Sequence, residues 1–177
     1  MARIPYADLN HSDIQPIVKQ IEAERGSVIH LYQMLLQSPA VAQGWLNYLT
    51  AIRQKTSISG ALRELIIMRI AILNRAPYEA DQHAPIALKE GITQAQLDAL
   101  DDWQESDLFN EQEQAILAYT DAMTILIQVP DPVFDQLQKH FNQQEIVEIT
   151  ATIGAYNMVS RFLEALQIHS DDERNTK

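Results

Sequence analysis

Ser59-Gly60-Ala61-Leu62-Arg63-Glu64-Leu65-Ile66-Ile67-Met68-Arg69-Ile70-Ala71-Ile72-Leu73-Asn74 decides the fold class. Its apolar residues occupy every angle of a helical wheel, the pattern of a helix surrounded by protein on all sides. Arg63, Glu64 and Arg69 stand inside that apolar run. A charge left unpaired in an interior is strongly unfavourable, so the stretch predicts a buried polar cluster as well as a central helix.

Outward from this helix the 3.6-residue period continues almost throughout, and no two-residue alternation marks a half-buried strand. The short link Asn74-Arg75-Ala76-Pro77 turns the chain into a second helix of about Tyr78 to Glu90, stopped by Gly91. The two helices must run antiparallel. Upstream, helices are expected over about Ser12 to Arg25, Ser27 to Gln37 and Pro39 to Lys55. Downstream, Thr93-Gln94-Ala95-Gln96 and Asn110-Glu111-Gln112-Glu113 read as capping boxes, opening helices to about Leu100 and Ile127. Pro130-Asp131-Pro132 starts another, to about Phe141, and the last runs from about Gln143 to Gln167. The expectation is an all-α helical bundle forming a single domain over residues 1–177, with loose ends before about Asp8 and from His169 to Lys177. The last helix is also apolar on most faces. Two such helices exceed what a small monomer easily covers, which points to a homo-oligomer, with a deep monomeric core as the alternative.

Composition removes several chemistries. With no cysteine in 177 residues, thiolate metal sites, disulfides and thiol redox cycles are absent. The net charge of -11 repels phosphate backbones and anionic membrane surfaces, which argues against nucleic acid or membrane as partner. No Lys or Arg stands between Lys89 and Lys139, and Asp98, Asp101, Asp102, Glu105, Asp107, Glu111 and Glu113 crowd that interval. Their irregular spacing reads as a solvated loop and helix face. No segment reaches the roughly 18 apolar residues of a membrane span, and no apolar run follows a basic start, so a cytoplasmic location is expected.

The chemistry centres on Tyr78-Glu79-Ala80-Asp81-Gln82-His83. Glu79 and His83, four apart on one helix, share a face within reach of a carboxylate–imidazole hydrogen bond. A carboxylate that orients an imidazole fixes its tautomer, a requirement for a general base. The antiparallel neighbour brings Glu64 and Arg69 alongside. The same spacing also describes an ordinary ion pair. His11, His30, His140 and His169 lie on separate segments, and no His-Glu-x-x-His pattern occurs, so no metal site is expected.

Leu62 to Ala71, then Tyr78-Glu79 and His83, then Ala87 and Gly91-Ile92-Thr93, resemble the carboxymuconolactone decarboxylase family, which includes the alkylhydroperoxidase D proteins. Tyr156-Asn157-Met158-Val159-Ser160-Arg161-Phe162 looks like the closing helix of its longer branch. The resemblance implies an alkylhydroperoxidase D-like bundle, with a core over about 60–166, assembling as trimers or hexamers, within a homo-oligomer expectation of dimer, trimer or hexamer. In the dithiol branch the pattern is Cys-x-x-Cys-x-x-x-His with an upstream glutamate. Anchored on His83, the cysteine positions fall on Ala76 and Glu79 and the glutamate falls on Glu64. Both thiols are gone, and with them dithiol peroxide reduction. The thiol-free branch reads Glu-Trp-x-x-His, and Ala80 replaces its tryptophan here.

The expectation is therefore a decarboxylase-like acid–base enzyme, without a cofactor, on a small anionic carbonyl or lactone substrate. His83, Glu79 and Glu64 are its catalytic candidates, and Arg69, Arg63 and Tyr78 its substrate-binding candidates. Two alternatives stand beside it: a non-catalytic oligomeric or small-molecule-binding protein whose Glu/Arg/His network is structural, and a protein in which a cofactor or metal supplies redox chemistry.

Overall fold

A computed structural model describes residues 1–172. It is all-α, and no strand occurs among the described residues. The chain gathers into two compact units, Met1–Lys55 with Leu163–Lys177, and Thr56–Phe162.

The first unit holds α1 (Gln15–Arg25), α2 (His30–Leu35) and α3 (Pro39–Gln54). Gly26 ends α1 at φ 83°, a left-handed conformation that glycine adopts without a Cβ penalty, and its N–H closes on the Glu22 carbonyl. The helix expected from Ser27 begins three residues later. Ile29 is extended at its N-cap, and the intervening residues carry the chain into place so that Val28 and His30 are buried. Residues near the start of the chain bond to residues 166 and 172 within this unit. The Arg3 N–H donates to the Leu166 carbonyl at 2.9 Å, and the Tyr6 hydroxyl donates to Asp172 Oδ2 at 2.6 Å. Of the expected loose tail, residues 173–177 lie outside the described residues.

The second unit holds α4 (Gly60–Leu73), α5 (Pro77–Lys89), α6 (Gln94–Ala99), α7 (Glu111–Ile125), α8 (Asp131–His140) and most of α9 (Gln143–Leu166). Ser59 caps α4 by accepting from the Leu62 N–H, and both expected capping boxes, at Thr93 and Asn110, are formed. α4 packs against α5 and α7, burying Leu65, Ile66, Ile67, Met68, Ile70 and Ala71 together with Glu64 and Arg69. Leu65 and Met68 join Ala87, Ile92, Leu100, Trp103, Phe109 and Leu117 in one apolar cluster. Each such side chain contributes about 1.5–3 kcal/mol when fully buried, and this clamps α4 in its register against α5. Asp98, Asp101, Asp102, Glu105, Asp107 and Glu111 are exposed. No helix among the described residues is long and apolar enough to cross a membrane.

Candidate functional site

The α4–α5 hairpin sets Glu64 against His83. Nineteen residues separate them in sequence, and the Asn74–Pro77 turn folds that interval back on itself, so that His83 Nδ1 lies 2.7 Å from Glu64 Oε2. Both are buried: the Glu64 side chain is 0% and the His83 side chain 10% exposed. Arg63 Nε donates to the other carboxylate oxygen, Glu64 Oε1, at 3.3 Å, and a second Arg63 nitrogen lies 4.0 Å from Glu90 Oε1. Gly60 lies against the Glu90 carboxylate, and a Cβ there would displace that flexible side chain. The order is thus guanidinium, carboxylate, imidazole. A carboxylate beside Nδ1 accepts its hydrogen and leaves the Nε2 lone pair to act as a base.

Glu79, one turn before His83 on α5, is buried at 1% exposure, and its Oε2 accepts a hydrogen bond from Ser160 Oγ at 2.7 Å. Ser160 and Tyr156 both belong to α9, and Tyr156 presents its ring edge-on to the His83 imidazole, with centroids 5.2 Å apart at 88°. Tyr78 is buried at the start of α5. Two residues beyond His83, Pro85 lies inside α5 and has no N–H to give to the carbonyl of residue 81, a place where helices bend.

Arg69 is engaged elsewhere. It sits five residues after Glu64, roughly 140° around the helix. Its Nε and a terminal nitrogen donate to Asp121 Oδ1 at 2.6 Å and Oδ2 at 2.8 Å, and the other terminal nitrogen donates to the carbonyls of Leu100 at 2.7 Å and Asp101 at 3.0 Å. Trp103 Nε1 adds a third bond to Asp121, at 3.1 Å. Such a fork-to-fork pair, with its remaining donors on main-chain oxygens, ties α4 to α7 and pins the acidic loop. Of the expected site residues, the structure therefore brings Glu64, His83 and Arg63 together, and sets Glu79 on the same helix face one turn away. Arg69 is placed in a separate polar cluster.

Sequence reasoning gave no site role to Asp121, Ser160 or Tyr156, although the last two stand in the stretch that resembles the family's closing helix. Ser160 did carry a signal, a small polar residue on an apolar face of the last helix. Among the described residues no group of three or more His, Asp or Glu is arranged to hold a metal ion.

The profile of the Carboxymuconolactone decarboxylase family matches residues 39–122. The uncharacterized protein YdfG of Bacillus subtilis (strain 168) is 27% identical over 115 residues, 64% of this chain and 78% of its own length. Among solved structures, the protein of unknown function ATU0492 from Agrobacterium tumefaciens superposes with a TM-score of 0.73 at 27% identity, over 77% of this chain and 94% of that one. A single-substitution variant of the debrominase Bmp8, in complex with 2,3,4-tribromopyrrole, has the same fold. It superposes with a TM-score of 0.79 at 21% identity, over 96% of this chain and 95% of that one.

Proposed function

The chain belongs to the carboxymuconolactone decarboxylase family of the alkylhydroperoxidase D-like superfamily, and on that footing we propose that it is a thiol-free acid–base enzyme. Its substrate in this reading is a small anionic carbonyl or lactone compound. One observation carries the reading: the buried 2.7 Å contact between His83 Nδ1 and Glu64 Oε2. In a decarboxylation the bond between the substrate's α-carbon and its carboxylate breaks, carbon dioxide leaves, and the electron pair stays on the α-carbon as an enolate. Nε2 of His83 has first taken a proton from water, and the imidazolium so formed gives that proton to the carbon, which restores the Nε2 lone pair. Glu64 holds the ring through Nδ1 and balances its positive charge, while Arg63 supplies the counter-charge to Glu64. Glu79, fixed by Ser160, shapes the same face of α5.

Assembly into a homo-oligomer belongs to the same reading. Ile125, Leu126 and Ile127 at the end of α7 are 62%, 56% and 84% exposed, an apolar patch that a second copy would cover.

A panel of β-keto acids and unsaturated lactone carboxylates, followed by carbon dioxide release with the wild type and His83→Asn, tests the proposal. Release that depends on His83 is expected. Equal release by a folded His83→Asn protein refutes it. The near-complete burial of Glu64 and Glu79 favours the second reading, a structural network in a binding protein. On that reading His83→Asn lowers the melting temperature and leaves ligand binding unchanged.

A further inference from the structure

At the α4–α5 turn a dish of about 420 Å³ is lined by Ala71, Ile72, Arg75, Ala76, Pro77 and Ala80. Five of the six are apolar, and the sixth is an exposed arginine at the rim. Binding sites for small molecules have this composition, a mostly apolar wall with a few placed polar groups. Arg75 has an unusual backbone and a guanidinium open to a ligand. Its φ is 52°, the left-handed conformation for which glycine or asparagine is the usual choice after a helix. The turn is closed there by the Arg75 N–H on the Ile72 carbonyl at 3.0 Å and the Ala76 N–H on the Ala71 carbonyl at 2.8 Å, which fixes where the side chain departs. Its guanidinium also makes no hydrogen bond or ion pair among the described residues, whereas those of Arg25, Arg63, Arg69 and Arg161 are all engaged.

Ala80 and His83 stand three apart on α5, and Ala76 is the N-cap residue just before that helix. Residues three apart on a helix have Cβ atoms about 5–6 Å apart. His83 is buried one turn beyond Ala80 and does not line the dish.

We propose that this dish binds a small monocarboxylate with a flat apolar body, its carboxylate clamped by Arg75 and its apolar part resting on Ile72, Pro77 and Ala80. The inference goes beyond the acid–base reading, since neither Glu64 nor His83 lines the dish. An arginine fork matches a carboxylate with two parallel hydrogen bonds, and a neutral isostere of the same shape loses the charge-assisted part.

Methyl-labelled protein titrated with benzoate and with benzamide, observed by NMR, provides the test. Benzoate is expected to move the Ala71, Ile72, Ala76 and Ala80 methyl signals and to bind at least about tenfold more tightly than benzamide, a preference equivalent to one decade in Kd. Arg75→Gln, an exposed change, should leave the ligand-free spectrum in place and abolish the preference. Arg75→Gly, which suits the left-handed backbone, should abolish it too. His83→Asn should retain benzoate binding, so loss of turnover without loss of binding separates the proton-transfer proposal from this one. Equal affinity for the two probes, shifts confined to other methyls, or a preference that survives both Arg75 variants overturns the inference.

Discussion

Replacing Glu64 by glutamine removes one charge and changes almost no volume, and the site's geometry dictates the consequence. Glu64 accepts on both oxygens, from His83 Nδ1 at 2.7 Å and Arg63 Nε at 3.3 Å. An amide has one acceptor and one donor end. With the amide oxygen toward His83, the NH2 faces the guanidinium, donor against donor. With the amide reversed, its NH2 donates to Nδ1, which forces the imidazole hydrogen onto Nε2 and removes the lone pair that the mechanism needs. Taking one partner from a buried ion pair costs about 3–5 kcal/mol, and retention of one hydrogen bond brings the expected loss to about 2–4 kcal/mol. For a chain of this size that is a fall of roughly 5–15 °C in Tm. Long-range proton–nitrogen correlation spectra of His83 report the tautomer directly. Wild type should show protonated Nδ1 and unprotonated Nε2, with Glu64→Gln shifted toward the opposite tautomer and Glu64→Asp less so. A Glu64→Gln protein with wild-type Tm and an unchanged His83 tautomer would refute the orienting role of Glu64.

The Arg69 cluster predicts a stability effect separable from the site. Asp121→Ala leaves a guanidinium side chain of 6% exposure without its counter-ion, which should cost about 3–5 kcal/mol by denaturant unfolding while the His83 tautomer stays as in wild type. Glu148 predicts a pH effect. Burial pushes its carboxyl up, but hydrogen bonds from Gln144, from the Ser57 hydroxyl and from the Ser57 and Ile58 N–H groups outweigh it and hold the carboxyl below its ordinary 4.5. A depressed folded-state value means that this stabilisation is complete above 4.5 and is lost as pH falls through the lower folded value. Unfolding midpoints measured down the acid range should show that loss in wild type and a smaller one in Glu148→Gln.

The hairpin that makes the site was legible because its causes are local. An all-round apolar helix, a four-residue link with proline at its end and a second helix leave one antiparallel arrangement, and Glu64 and His83 meet across it. The Glu79–His83 spacing gave their shared helix face, but which carboxylate meets Nδ1 was decided by the packing of α4 against α5. Asp121 stands 52 residues from Arg69, and Ser160 stands 81 from Glu79. Contacts of that range leave no trace in local periodicity, so an arginine that reads as a substrate clamp in the sequence is bonded to an aspartate on α7. The grouping into two units had no composition shift to announce it. The short α2 reflects Gly26, whose left-handed turn redirects the chain before the next helix can begin.

Hydrogen–deuterium exchange at the carbon next to the carbonyl of a lactone or keto carboxylate measures the proposed proton transfer itself. The wild type should accelerate exchange in deuterium oxide, and His83→Asn, folded and still bound to the same compound, should lose about 10²–10⁴-fold of that acceleration. Exchange at the same rate in both proteins would contradict the assignment of His83 as the base.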